Sequence, residues 1–256
     1  MSITIKSDRA IELMTESGRI LEIVHEELEK IVSPGITTGR LNKIGEEVIR
    51  SYGCSPSFLN YDGYPASICV SINNEIVHGI PSDKRFINEG DIVSIDAGVV
   101  YKGYHSDAAR TYGVGKISPE AEKLIKVTEE SFFEGIKYAK EGNHLYDISR
   151  AIGKCAREHG YGVTKELMGH GIGTHLHEEP GIPNYEIFKK GPELKAGMTL
   201  AVEPMFSMGT DKIKVLGDGW TIVTKDGRPA SHYENTILIT DGEPKILTLT
   251  KAVERK

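Results

Sequence analysis

Apolar residues recur at helical spacing in the first fifty residues and predict two helices. The first begins after Ser7, a residue type that favours a helix N-cap, and ends before Pro34-Gly35. Its apolar face is formed by Ile11, Met14, Leu21, Val24, Leu28 and Ile31. The second runs from about Thr38 to Tyr52 and stops at Gly53. Both segments are therefore predicted as amphipathic helices.

A second helix pair is predicted in the middle of the chain. Its first member begins at Ser118-Pro119-Glu120, which combines a cap residue, a first-turn proline and an early acid, and continues to Gly142. The other member ends at Gly160. Gly142 and Gly160 stand as far apart as Gly35 and Gly53, and a shift of 107 residues superimposes the two pairs. An internal duplication and a chance likeness both explain this echo.

Six segments of β-prone composition lie between and after the helices. Lys102-Gly103 separates two of them and Asp226-Gly227 another two, and both dipeptides are typical of hairpin turns. The segments are SICVSI (67–72), DIVSIDAGVVY (91–101), DAARTYGVG (107–115), TLAVEPMF (199–206), WTIVTKD (220–226) and SHYENTILIT (231–240). Helices flanking a hairpin-rich sheet indicate an α+β fold with two similar halves sharing one sheet. No linker tract interrupts the sequence, and we expect residues 1–256 to form one domain.

The charge balance and the cysteines narrow the choice of partners and location. With 31 Lys and Arg against 37 Asp and Glu, the formal net charge is −6. This argues against DNA or RNA as the main partner, because phosphates are bound by basic surfaces. No apolar run could cross a bilayer, and the start MSITIKSDRA lacks the apolar core of a signal peptide. Cys54, Cys69 and Cys155 form no CxxC pair and are typical of reduced thiols, so we expect a cytoplasmic protein.

Two aspartates flank the Lys102-Gly103 turn at nearly equal distances. Asp96 and Asp107 would lie approximately opposite each other across two antiparallel strands, where like charges are unfavourable unless a cation lies between them. Their neighbours are apolar, which raises the cost of leaving both side chains ionised. For two aspartates considered alone, a solvent-facing position is the simpler interpretation.

Two glutamates and a histidine-rich loop extend the pattern. Glu203 and Glu234 each interrupt a β-prone segment, and MGHGIGTHLHEEP (168–180) contains His170. Carboxylate oxygens with one imidazole suit a hard or borderline divalent ion such as Mn²⁺, Fe²⁺, Co²⁺ or Zn²⁺. Four carboxylates exceed the usual ligand set of one ion, so two ions that share bridging carboxylates fit better. The sequence therefore predicts a dinuclear metal centre.

These five candidate ligands and the residues around them resemble the methionine aminopeptidases, specifically the short bacterial type I form. The likeness runs over essentially the whole chain. The matching stretches are YDGYPASICVSIN (61–73), NNEIVHGIP (73–81), SIDAGVVYKGYHSDAART (94–111), MGHGIGTHLHEEP (168–180), AVEPMF (201–206) and HYENTILIT (232–240). The resemblance implies one catalytic domain with the pita-bread fold, in which two pseudo-twofold-related halves contribute to a curved antiparallel sheet covered by helices.

The resemblance also implies a role for each ligand. Asp96 would chelate one ion, His170 would bind the other with Glu203 beside it, and Asp107 and Glu234 would bridge the pair. The implied activity is removal of the initiator methionine when the second residue is small, by attack of a metal-bridging hydroxide on the first peptide bond. Glu203 would in addition shuttle a proton.

Two further histidines match the family pattern. His78 and His177 would bind the substrate, through hydrogen bonds to the scissile amide and the developing oxyanion. His78 considered alone would be interpreted as an ordinary loop histidine. His175 is interpreted as a surface or pocket-rim residue, although its HxH spacing also occurs in metal sites. No function is predicted for His25, His105, His144, His159 and His232.

Family position also predicts an apolar pocket for the methionine side chain, since sulfur–aromatic contacts suit a thioether. The predicted lining is Phe58, Tyr61, Tyr64, Cys69, Leu176 and Trp220. Core packing is the alternative for the aromatic residues, although Trp220 follows the Asp218-Gly219 turn, which suits a pocket rim. Phe58 and Leu176 depart from the residues common in the family, and both keep the pocket apolar.

Two other classes of protein compete with this interpretation. Prolidases and aminopeptidases P resemble the chain in their metal ligands but carry a large additional N-terminal domain. A non-catalytic pita-bread protein that binds peptides or RNA would have lost ligands, whereas all five stand here. We expect a monomer that acts on the N-terminal methionine of peptides and nascent chains, and a contact with the ribosome is left open.

Overall fold

The computed structural model describes residues 2–249 and shows the predicted α+β architecture. The helices in this range are α1 (Asp8–Glu29), α2 (Thr38–Ser51), α3 (Pro119–Ile136) and α4 (Leu145–His159). The strands in this range are β1 (Ser55–Pro56), β2 (Ile68–Ile72), β3 (Glu75–Val77), β4 (Ile92–Tyr101), β5 (Tyr104–Gly113), β6 (Met168–Gly171), β7 (Glu178–Pro183), β8 (Thr199–Val202), β9 (Met205–Ser207), β10 (Ile213–Val215), β11 (Ile222–Thr224), β12 (Ala230–His232), β13 (Asn235–Leu238) and β14 (Lys245–Ile246). Residues 1 and 250–256 of the predicted domain lie outside the described range. None of the described helices combines the length and apolarity that crossing a membrane requires.

Side-chain caps begin three of the helices where the sequence predicts a start. In each case a hydroxyl accepts a hydrogen bond from the backbone N–H three residues later. These N-cap residues are Ser7, Thr37 and Ser118. The third helix ends at Ile136 and not at Gly142 as predicted, because a tight turn replaces the helical bonding. In that turn the N–H of Tyr138 donates to the carbonyl of Gly135.

The two helix pairs occupy equivalent positions in the chain. Thr38 and Leu145 begin α2 and α4, and Glu29 and Ile136 end α1 and α3, so both separations are 107 residues. Within each pair the two helices pack against each other. The offset seen in the glycines therefore extends to the helix boundaries, and the predicted organisation into two similar halves is confirmed.

Each half contributes its own antiparallel ladder. In the first half, β4 pairs with β5 along one edge and with β1 and β2 along the other. In the second half the strand order is β14-β13-β8-β6-β7. Two smaller ladders, β10-β11-β3 and β12-β9, account for the other strands of residues 2–249. The shared sheet that the sequence predicts is therefore divided into separate ladders.

The two large ladders meet between β5 and the start of β13, at a junction that we call the seam (Asp107, Ala109, Glu234 and Thr236). The N–H of Glu234 donates to the carbonyl of Ala109 at 3.0 Å, and the N–H of Ala109 donates back at 3.4 Å. The Thr236 hydroxyl accepts from the N–H of Asp107 at 2.9 Å and donates to its carbonyl at 3.0 Å. The seam thus continues the curved layer from one half into the other.

The helices cover one face of the first ladder and leave the opposite face for polar side chains. Ile95, Ala97 and Val99 of β4 are fully buried in the core formed with α1 and α2. Successive side chains of a strand point to opposite faces. Asp96, between Ile95 and Ala97, therefore projects away from the helices, and so does Asp107 next to the buried Ala108.

Candidate active site

The β4–β5 hairpin places its two aspartates on one face as diagonal neighbours. In the observed register Asp96 pairs with Ala109, and Asp107 pairs with Gly98. They are thus offset by two positions from the direct opposition that the sequence suggests, because Asp96 stands two residues further from the turn than Asp107. An even offset keeps both side chains on the same face, since the strand period is two.

The seam brings Glu234 beside this aspartate pair. Its backbone pairs with Ala109, the residue that faces Asp96 in the hairpin. Glu234 is 2% exposed and Asp107 4% exposed, so both carboxyl groups are removed from bulk water. Carboxylates from both halves therefore converge at the junction of the two ladders.

His170 completes the cluster from β6 together with Glu203, which follows β8. The ring Nδ1 of His170 donates to the carbonyl of Gly171 at 2.9 Å, which leaves Nε2 with a free lone pair. This Nε2 lies 3.6 Å from Oε1 of Glu203 and 3.8 Å from Oδ2 of Asp107. Burial lowers the pKa of His170 to about 3, so the ring is a neutral imidazole suited to metal ligation.

The pKa values of the four carboxyl groups in this cluster are all raised. Burial raises the pKa of Asp96 to about 7. Burial, followed by repulsion from neighbouring carboxylates, raises the pKa of Asp107, Glu203 and Glu234 well above the usual range. Four acids packed this closely cannot all be charged unless positive charge is placed among them.

Several buried carboxylate oxygens of the cluster lack a hydrogen-bond partner within the described part of the chain. Among residues 2–249 no hydrogen bond reaches Oδ1 of Asp96, Oδ1 of Asp107 or Oε1 of Glu234, although all three atoms are buried. Buried polar atoms without a partner are costly and are normally paired with protein, water or an ion. Two three-residue groups have ligand atoms within 4.8 Å of one another and share Glu234: Asp96–His232–Glu234 and Asp107–His170–Glu234. The donor set therefore fits divalent cations.

His232 in the first of these groups is the residue that the sequence interpretation missed. It is 1% exposed, and burial lowers its pKa to about 3. Its Nε2 lies 3.5 Å from Oε2 of Glu234 and 3.7 Å from Oε2 of Glu203. One signal pointed to it, because residues two apart in an extended segment share a face, and His232 precedes Glu234 by two.

His78 and His177 border the same cavity as the carboxylate cluster. His78 follows β3 with a φ of 60°, a left-handed conformation that is uncommon for a residue other than glycine and often found at functional sites. Burial lowers its pKa to about 4. The exposed His177 shares a 2.9 Å hydrogen bond between its Nδ1 and the Tyr61 hydroxyl, and its ring centroid lies 4.3 Å from that of His170. His175 is exposed and does not line the cavity.

The cavity has a volume of about 480 Å³ and combines the acidic cluster with an apolar wall. All six residues predicted for the pocket line it: Phe58, Tyr61, Tyr64, Cys69, Leu176 and Trp220. Tyr64 and Trp220 meet edge to face with ring centroids 5.2 Å apart, and the Asp218 carboxylate accepts from the N–H of Trp220 at 2.9 Å. The lining also includes apolar residues that the sequence interpretation did not name, Val77, Leu167, Met168 and Met205.

Comparisons with known proteins agree with this architecture. A family model described as "Metallopeptidase family M24" matches residues 12–241. A methionine aminopeptidase of Clostridium acetobutylicum is 51% identical over 247 residues, which are 96% of this chain and 99% of that protein. Methionine aminopeptidase 1 of Bacillus subtilis is 48% identical over 246 residues, which are 96% of this chain and 99% of that protein.

Among solved structures, the crystal structure of a methionine aminopeptidase from Thermotoga maritima matches with a TM-score of 0.95 and 41% identity. The match covers 96% of this chain and 99% of that one. The predicted pita-bread fold is thereby confirmed. Because the likeness in sequence and structure extends over nearly the whole chain, this protein belongs to metallopeptidase family M24.

Proposed function

We propose that this protein is a dinuclear metal-dependent aminopeptidase that removes the N-terminal methionine from peptides whose second residue is small. The observation that carries the proposal is the union, in one cavity, of a buried acidic cluster and an apolar wall. Relatives of nearly equal length are named methionine aminopeptidases, which supports the same activity here.

The proposed metal ligands are the five residues expected from the sequence. Asp96 would hold one ion, His170 would hold the other with Glu203 beside it, and Asp107 and Glu234 would contribute to holding both. Support comes from the two candidate groups that share Glu234 and from the unpaired carboxylate oxygens. When bound, two divalent ions (Co²⁺, Mn²⁺, Fe²⁺ or Zn²⁺) would supply Lewis acidity and lower the pKa of a water nucleophile.

The protein's own side chains position the substrate and move protons. His78 and His177 hydrogen-bond the scissile amide and the oxyanion that develops on its carbonyl oxygen. Glu203 accepts a proton from the attacking water and returns it to the departing amine as the C–N bond breaks. The position of Glu203 in the cavity, 3.6 Å from Nε2 of His170, supports this role.

The position of the acidic cluster explains why cleavage is confined to the first residue. A free N-terminal amine is cationic and is attracted to the carboxylates, whereas an internal peptide lacks that charge. The methionine side chain then packs against the wall formed by Phe58, Cys69 and Trp220, where aromatic and sulfur-bearing surfaces suit its thioether. Crowding beyond this first residue would explain a requirement for a small second one.

The test is release of methionine from Met-Ala-Ser and Met-Leu-Ser by the metal-stripped enzyme and by enzyme restored with Mn²⁺, Fe²⁺, Co²⁺ or Zn²⁺. We expect no release from the stripped enzyme, and release from Met-Ala-Ser much faster than from Met-Leu-Ser once metal is restored. Activity that persists without metal, or that ignores the second residue, would overturn the proposal.

The proposal extends to the setting in which the enzyme works. A single domain, a monomeric state, a cytoplasmic location and action on nascent chains follow from the sequence interpretation and stay predictions. This donor set accepts several divalent metals, and a ribosome contact would bring the enzyme to nascent chains.

A further inference from the structure

His232 is buried at the acidic cluster and its backbone is fixed from both sides by one side chain. The N–H of His232 donates to the hydroxyl oxygen of Thr111 at 3.0 Å, and that hydroxyl donates to the His232 carbonyl at 2.8 Å. The register of β12 sets His232 opposite Met205, close to Glu203. The imidazole is therefore held in place beside the carboxylates.

Its ring nitrogens have no hydrogen-bond partner among residues 2–249. Both Nδ1 and Nε2 of His232 are buried and unpaired, whereas the buried rings of His25 and His170 each use one nitrogen to contact a backbone carbonyl. A buried imidazole with no hydrogen bond at either nitrogen calls for another partner. Nε2 points to that partner, because it faces Glu203 and Glu234.

The separations at Nε2 match those of atoms that share a cation. Nε2 of His232 lies 3.5 Å from Oε2 of Glu234 and 3.7 Å from Oε2 of Glu203. Ligand bonds of about 2.0–2.2 Å separate neighbouring donor atoms by about 2.8–3.1 Å around an octahedral ion and by about 3.3–3.6 Å around a tetrahedral ion. The shorter separation falls within the tetrahedral range, and the longer one lies just above it. His170, a ligand in the proposed centre, shows the same pattern with carboxylate oxygens at 3.6 and 3.8 Å.

We infer that His232 is a sixth metal ligand, whose Nε2 binds the ion held by Asp96 and Glu234. The inference rests on the proposed dinuclear centre and adds to it. Each ion then has one imidazole of its own, His232 on one side and His170 on the other, with Glu234 shared between them. An added imidazole nitrogen favours borderline ions such as Fe²⁺, Co²⁺ and Zn²⁺ over Mn²⁺ at that position.

The decisive measurement counts coordinated imidazoles in the intact wild-type protein. In the Co²⁺-loaded chain, each histidine bound through Nε2 keeps an exchangeable Nδ1–H whose proton resonance is shifted far outside the normal range by the paramagnetic ion. We expect two such resonances from the wild type and one from His232→Gln. A single resonance from a wild type loaded with two ions overturns the inference, and this count needs no variant to fold.

Metal affinity provides the second readout. Titration calorimetry with Co²⁺ should show one of the two binding steps weakened by roughly 10–100-fold or more in His232→Ala, with the other step unchanged. His232→Gln tests the competing role, because its amide can hydrogen-bond a carboxylate but offers no imidazole nitrogen. Wild-type affinity in His232→Gln would show that the ring acts as a hydrogen-bond donor and would overturn the inference.

A control variant tests whether the effects are specific to His232, and the outcomes separate failure of this inference from failure of the proposed function. His105→Gln removes a partly buried imidazole that contacts Ser57 at 3.1 Å outside the cluster, and it should leave both binding steps and both resonances intact. Loss of a resonance in this control would overturn the inference as well. A wild type that binds no Co²⁺ would defeat the proposed function itself, whereas metal-dependent methionine release with one coordinated imidazole would defeat the sixth ligand alone.

Discussion

Replacing Asp96 by asparagine should stabilise the metal-free protein and destabilise the metal-loaded protein. Burial raises the pKa of Asp96 from 3.8 to about 7. The folded protein therefore holds this proton more tightly than the unfolded chain, and ionisation at pH 8 opposes folding. Because each pKa unit corresponds to about 1.4 kcal/mol, the ionised carboxylate costs about 4 kcal/mol of folding free energy. Asparagine has nearly the same shape and no charge to bury.

The sign and the pH window follow from the two pKa values. At pH values well below 3.8 the carboxyl group is protonated in both states, and the substitution has little effect on the free energy of unfolding. Between 3.8 and about 7 the wild type loses stability relative to the variant, and above about 7 the difference is constant. Bound metal opposes this difference, because the variant has lost a ligand. One ion at 1,000 times its Kd stabilises the wild type by about 4.1 kcal/mol, so a larger excess of metal, or both ions together, reverses the order.

The assay is urea unfolding of both proteins at several pH values between 4 and 8, with chelator and with excess Mn²⁺. Asp241→Asn, at an exposed position, is the control for removal of a carboxylate and should change little under any condition. Equal stability of the metal-free wild type and Asp96→Asn at pH 8 would refute the reasoning. So would a gain of the same size at pH 4, since Asp96 is then protonated in the folded protein and carries no buried charge to remove.

Three further predictions concern the centre and its pocket. His170→Ala should lose nearly all turnover together with tight binding of one ion, whereas His78→Ala should keep its metals and turn over roughly 10²–10⁴-fold more slowly, as calorimetry and steady-state kinetics will show. Loss of metal from His78→Ala would contradict the assignment of His78 to substrate binding. Metal affinity measured by calorimetry should rise with pH through about 7, where Asp96 gives up its proton, and a flat profile would contradict that. In Gly98→Ala the new Cβ would stand 2.9 Å from Cε1 of Phe58. We therefore expect the free energy of unfolding in urea to fall by about 1–3 kcal/mol and the KM for Met-Ala-Ser to rise. An unchanged KM would place Phe58 outside the substrate pocket.

Local chemistry made much of the fold predictable from the sequence. Helix starts at Ser7 and Ser118 are set by a side chain and a backbone N–H three residues away, so a short window contains the signal. The hairpin of Asp96 and Asp107 is likewise local, because the turn fixes its register. The division of the sheet into ladders depends on long-range packing, which periodicity does not encode.

The candidate site was less accessible to sequence reasoning where it depends on contacts between the halves. Glu203 stands 107 residues after Asp96, which is the offset that relates the helix pairs. The repeat in the sequence is therefore enough to predict that Glu203 occupies a position equivalent to that of Asp96. The sequence does not single out His232, because a single histidine near a candidate ligand is common. Its significance lies in two unpaired ring nitrogens, which only the packed structure reveals.

The seam has a mechanical consequence for the whole molecule. Its backbone contact is narrow, and Asp107 and Glu234, the two proposed bridging ligands, project from it. Cations gripped by both side chains would fasten one half to the other, so the amides of Ala109 and Glu234 should exchange with deuterium more slowly when the centre is loaded. The same two ions would then serve catalysis and the stability of the junction, and removing them would weaken the contact between the halves as well as abolish activity.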